Sequence, residues 1–300
     1  MSEIAALEKG NFAELAKSLG LEVKESGNKM PTILRLDLQQ KNILGKKMVE
    51  GEEITAEVVK AGSFRIEEPV ANGKKIYAEK VSLRPLMQQL YYKRFVKGEG
   101  SSPNRFIKSL MADSLEGQLK DTEGGFDCGR PKQFYEDWNN VPEKIKNLIK
   151  GTKRTRVIFG MLTVGKAKDE KGNSVSMPDP VEVMWEVSNR DAFFTTNKPF
   201  IELTKKGLYP FLYNIKLSTE AKHLPNGDAF YLPKTEIDYS SALKNVQDGD
   251  QQAILTFKEY KDSHNSYVLS KWKEKHREDV DDDTKQLVDD FIDVSPEEAA

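Results

Sequence analysis

Apolar residues along this chain recur with two different periods, and the alternation between them divides the sequence into elements. Leu7, Phe12, Leu15, Ala16 and Leu19 fall at helical spacing and Gly20 follows them, which predicts a short amphipathic helix over residues 5–19. From there the period shortens to two. Residues 32–38, 54–59 and 62–66 are predicted as strands, and Asn72-Gly73 between Val70 and Ile76 is a tight-turn signal. Residues 75–96 form a long strand or strand pair, interrupted near Pro85 because proline donates no ladder hydrogen bond. Residues 154–164 and 181–187 are the clearest strands, with a turn at Lys171-Gly172-Asn173 between them. Residues 211–217 and 229–235 predict a further hairpin around Pro225-Asn226-Gly227-Asp228. Helical spacing returns over 142–150, where Pro142 suits a first turn, and over about 251–275 through Ile254, Phe257, Tyr260, Tyr267, Leu269 and Trp272.

Strands in the middle with helices at both ends predict an α+β body over residues 1–277, a barrel or sandwich elaborated by insertions. Its β-rich core spans 30–236, and residues 278–300 form an acidic tail expected to be disordered. Residues 98–104, rich in Gly, Ser and Pro, are the expected mobile loop within the body. Phe126, Cys128 and Trp185 are expected in the core.

Charge sharpens this division. Residues 278–300 carry ten acids and one base, a net charge of −9, whereas the remaining 45 bases and 38 acids give the body +7. The formal net charge of −2 conceals this opposition, which points to a polyanionic partner for the body. No apolar run is long enough to span a bilayer, the first ten residues lack a basic signal region, and Cys128 is the single cysteine. A soluble, cytoplasmic protein with no membrane partner is the expectation.

Catalytic signatures are missing: the sequence has no Walker loop, no dinucleotide fingerprint and no nucleophile elbow. His223, His264 and His276 are scattered without metal-ligand spacing, so neither an enzyme nor a cofactor is expected. What the sequence does contain is repeated interleaving of aromatic and basic residues. Tyr91-Tyr92-Lys93-Arg94, Arg105-Phe106, Arg130 with Phe134-Tyr135, and Lys153-Arg154 with Arg156 all fall between residues 91 and 156. Single-stranded nucleic acid exposes base faces beside a charged backbone, so its binders combine stacking rings with cations. Tyr91, Tyr92, Phe106, Phe134 and Tyr135 are the candidate stacking residues. Lys93, Arg94, Arg105, Arg130, Lys153, Arg154 and Arg156 are the candidate phosphate contacts.

The tail combines Asp281-Asp282-Asp283 with Asp289, Asp290, Phe291, Ile292 and Asp293, dense negative charge around an apolar anchor. It resembles the acidic tails of bacteriophage and bacterial single-stranded DNA-binding proteins. The resemblance implies a phage-encoded protein of DNA replication or recombination whose tail occupies its own groove and recruits replication partners through residues 289–293. Single-strand binding selects an antiparallel barrel of the OB type for the fold, with single-stranded DNA, replication or recombination proteins and further copies of the chain as expected partners. Two other readings stand beside it: a virion or scaffold protein, and a magnesium-dependent DNA-processing enzyme using Asp113, Asp121 and Asp127.

Overall fold

A computed structural model describes residues 30–278 apart from 50–51, 71–72, 99, 101–102, 134 and 225–226. The expected helix over 5–19, Phe134 and the tail from residue 279 lie outside the described residues. The strands are β1 (Leu34–Leu38), β2 (Ile43–Val49), β3 (Glu52–Val59), β4 (Phe64–Glu67), β5 (Lys75–Ala78), β6 (Val81–Val96) and β7 (Arg105–Lys108). They continue as β8 (Thr152–Thr163), β9 (Ala167–Lys168), β10 (Ser174–Val175), β11 (Val181–Val187), β12 (Asn214–His223) and β13 (Ala229–Asp238). The helices are α1 (Glu143–Gly151), α2 (Arg190–Thr195), α3 (Lys198–Lys205) and α4 (Asp250–Glu278).

The main sheet runs in the order β10-β9-β5-β4-β1-β11-β8-β6-β12-β13, with β7 on the far half of β6, and β2–β3 form a separate ribbon. Pairing is antiparallel except for β1 with β11, which run parallel. The expected closed barrel is therefore corrected: the path ends at β10 and β13 without joining them. The sheet instead curls. Leu36, Phe64, Leu83, Ile158, Trp185, Leu217 and Leu232, from seven strands, pack in one cluster. Curling brings β13 close to the chain after β1, where Gln40 donates to the Tyr231 carbonyl at 3.2 Å and accepts the Tyr231 N–H at 2.8 Å. Thr219 donates to the Gly62 carbonyl at 2.8 Å. Gly62 has φ +86°, and a Cβ there would stand 2.5 Å from the Tyr231 ring, so the close approach needs glycine. Side-chain bonds thus span the gap where a closed barrel would have a ladder.

The opposite face of β6, β8 and β11 is covered by α4. Tyr91, Val157, Phe159 and Met184 pack there against Ala253, Phe257 and Tyr260. Alternating residues of β8 are consequently apolar on both sides, which is why this strand reads as a near-continuous hydrophobic run. The interruption expected at Pro85 is a register shift between Pro85 and Met87, opposite Gly160. A Cβ on Gly160 would come within 2.3 Å of the Arg84 carbonyl oxygen, so the bulge and the glycine require each other. Cys128 and Trp185 are buried as expected. Phe126 is not: it is 41% exposed and meets the edge of Trp272 near the end of α4.

Candidate nucleic-acid interface

Antiparallel pairing determines which candidate residues share a face. Leu90 is opposite Arg156 and Tyr92 opposite Arg154, so these four form one patch where β6 and β8 run side by side. The chain then builds walls around the patch. α1 leads directly into β8 and brings Ile149 and Lys150 to one side. The segment after Asp127 brings Arg130, Tyr135 and Trp138, and α2 brings Arg190, Phe193 and Phe194. The result is a cleft formed by two adjoining cavities of about 710 and 770 Å3. Glu116 is the only carboxylate side chain along it among the described residues.

Each wall has a local cause. Asp121 accepts the N–H groups of Glu123, Gly125 and Cys128, and Asp127 accepts that of Leu119. These bonds hold a turn in which Asp127 and Cys128 both have φ +54°. The buried Cys128 thiol points to the Tyr92 carbonyl at 3.2 Å, and burial pushes its pKa well above the usual thiol range. Asp113 accepts from Gln89 at 2.7 Å. The three acids of the magnesium reading are thus engaged in supporting loops and strands. Beyond the turn, Arg130 donates to the Ile149 carbonyl and, at 2.9 Å, to that of Thr152, tying the segment to the α1–β8 junction. Burial and the nearby Arg154 charge lower its pKa.

α2 starts where the Asn189 side chain accepts the N–H groups of Asp191 and Ala192. Ala192 anchors the helix in the core, and the turn presents Arg190 and Phe193, three apart, on one side. The Arg156 guanidinium lies 4.6 Å from the Phe193 ring centroid, and its Nε donates to the Phe193 carbonyl at 3.4 Å. Arg156 is 3% exposed and forms no ion pair among the described residues. Desolvation alone pulls its pKa down to about 10. A buried cation without a carboxylate is costly, and an anion in the cleft would offset that cost. Lys150, Lys153, Arg154 and Arg190 line the same cleft and are exposed, with no ion pairs among the described residues.

Six of the twelve residues expected from sequence therefore meet in the cleft: Tyr92, Arg130, Tyr135, Lys153, Arg154 and Arg156. Tyr92 is only 5% exposed and serves as floor. Tyr91 offers no stacking face, being fully buried under α4 with its ring edge against His264. Successive residues of a strand point to opposite sides, and Tyr91 points to the side that α4 covers. Lys93 pairs with Glu186 at 3.2 Å, and Arg105 grips Glu123 with two bonds of 3.0 Å, so both cations are neutralised within the protein. Phe106 is 51% exposed, but its ring packs at a tilt against Phe95 across the ladder at the β6–β7 tip, on the face opposite Arg94. Arg94 is half-buried, with Nε unpartnered among the described residues.

Trp138, Arg190, Phe193 and Phe194 line the cleft without having been among the residues expected there. The Asn189 cap followed by Arg190 and Phe193 at i, i+3 was the available signal for the last three. Trp138 lies in an irregular segment and carries none. No family model, curated protein or solved structure matches this chain. No helix among the described residues is long and apolar enough to cross a membrane.

Proposed function

We propose that the chain is a sequence-independent single-stranded DNA-binding protein acting in DNA replication or recombination, with the cleft as its binding groove. The observation that carries this reading is Arg156, a buried cation with no counter-ion among the described residues, beside Arg130, Arg154, Arg190 and the exposed rings of Trp138 and Phe194. Guanidinium groups suit phosphates, while rings open to the cleft suit unstacked bases. A curled sheet that presents strand residues between flanking loops is related in this respect to the OB type, itself a partly open barrel.

The acidic tail has the charge to compete for the same groove. It continues from α4, whose Lys275 lies against Gly124 closely enough that a Cβ there would stand 2.9 Å away. Arg130 is six residues beyond Gly124, a span of at most about 20 Å. Tethering makes the tail a competitor at an effective concentration in the millimolar range, and Phe291 and Ile292 provide apolar anchors for a replication partner.

Fluorescence anisotropy with an oligothymidylate of about 12 nucleotides tests the assignment. Arg154→Ala with Arg156→Ala is expected to weaken binding at least about tenfold and to reduce the salt slope by about 1.4. Unchanged affinity in a folded double variant overturns the assignment.

A further inference from the structure

A second cationic groove lies at the opposite end of β8. Thr163 is nine residues beyond Arg154, about 30 Å along a strand at ~3.3 Å per residue. Two adjoining cavities of about 870 and 480 Å3 meet there at Lys80 and Gly165. Lys60, Lys80, Lys166 and Lys168 line the larger one, and Lys80, Lys216 and Lys234 the smaller. Glu79 and Glu236 are the only acids along the groove among the described residues. All six lysines are exposed. Lys216 pairs with Asp238 at 2.9 Å, whereas the other five form no ion pair among the described residues.

The chemistry differs from that of the arginine cleft in two ways. First, cross-strand pairing sets Thr163, Ser82 and Lys216 side by side on one face, so hydroxyls accompany the ammonium groups. Lysine with serine and threonine is the set that contacts phosphate oxygens without reading sequence. Second, no exposed ring lines the groove among the described residues. Tyr77 is the only aromatic residue among those described there, and it is buried with its hydroxyl directed at Glu170. None of the exposed large hydrophobic side chains lies along it either, so it lacks the apolar anchor that an interface with a protein is built around.

We propose that this groove is a second nucleic-acid contact, one that holds the phosphate backbone of a duplex and neither stacks nor reads bases. It stands independently of the single-strand assignment. Together the two sites place a duplex and a single strand on the same molecule, as a junction between them requires.

The test uses the full chain with Lys80, Lys166, Lys168 and Lys234 all replaced by Glu, and a parallel set replaced by Gln. The probes are a labelled duplex of about 20 base pairs and the short oligothymidylate, titrated between about 50 and 200 mM salt. Duplex affinity is expected to fall at least about tenfold in both sets, with the salt slope reduced by about 3 to 4 because each neutralised phosphate contributes about 0.9. Oligothymidylate affinity is expected to stay within about twofold, whereas the Arg154 and Arg156 variant shows the reverse pattern. Duplex affinity and slope unchanged in either folded set overturn the proposal. A parallel loss for both probes also overturns it, since the groove would then contribute only general charge. Displacement of the duplex by polyglutamate at equal charge concentration, as readily as by unlabelled duplex, overturns the choice of nucleic acid over an acidic protein. Failure of the single-strand reading appears separately, as an oligothymidylate response that ignores the arginine substitutions.

Discussion

At the scale of single residues, burial decides between platform and core. Tyr91 and Tyr92 adjoin in sequence and are both inaccessible, one under α4 and the other beneath the cleft, although the basic residues around them suggested stacking. The rings with open faces in the cleft, Trp138 and Phe194, come from a loop and a six-residue helix whose short patterns carry little periodic signal. Two substitutions separate the classes. Trp138→Ala is expected to weaken single-strand binding by about 1–3 kcal/mol while leaving the salt slope unchanged, since stacking displaces few counter-ions. Tyr91→Ala is expected to cost about 3–5 kcal/mol of stability, read from urea unfolding, with little effect on the affinity of the folded fraction. A loss of affinity without a loss of stability at Tyr91, or the converse at Trp138, contradicts this division.

At the scale of elements, the apolar patterns of β6, β8 and β11 and the helical spacing of α4 were legible because each buries whole faces. The hairpin β12–β13 and the interruption at Pro85 were legible from turn and proline chemistry. The parallel pairing of β1 with β11 was not, since it joins segments nearly 150 residues apart that carry no mutual signal. Nor was the anchor of α4: Arg84 Nη1 and Nη2 reach Asp250 at 2.8 and 2.5 Å, both side chains being buried. The Arg84 hydrogen bonds hold the Asp250 carboxyl below its ordinary pKa of 3.8. A depressed carboxylate contributes stability that is fully present above its unfolded value and is lost as pH falls through the folded one. Asp250→Asn is therefore expected to destabilise the protein by about 3–5 kcal/mol at neutral pH, through the uncompensated guanidinium. The difference from wild type is expected to shrink as the pH drops below about 4. Circular-dichroism melts at pH 7 and below pH 4 measure both effects, and a pH-independent difference contradicts the assignment.

At the scale of the molecule, charge composition predicted a basic body opposed by an acidic tail, and the body carries one cleft rich in arginine and another lined by lysines. Barrel closure was overestimated because alternation specifies strands and faces but leaves the partners of the outermost strands open. Removing residues 279–300 takes away nine of the ten tail acids and its single base. The truncated chain is expected to bind oligothymidylate more tightly, and the gain is expected to diminish as salt screens the competition. Aggregation with unchanged affinity would instead assign the tail to solubility alone. The most direct test of the whole account is one titration series, in which oligothymidylate binds wild type and the Arg154→Ala, Arg156→Ala variant between about 50 and 200 mM salt. Binding that weakens steeply with salt in wild type, and that loses at least about tenfold in affinity and about 1.4 in slope in the variant, is the predicted result. A salt-independent affinity, or one indifferent to the two arginines, contradicts it.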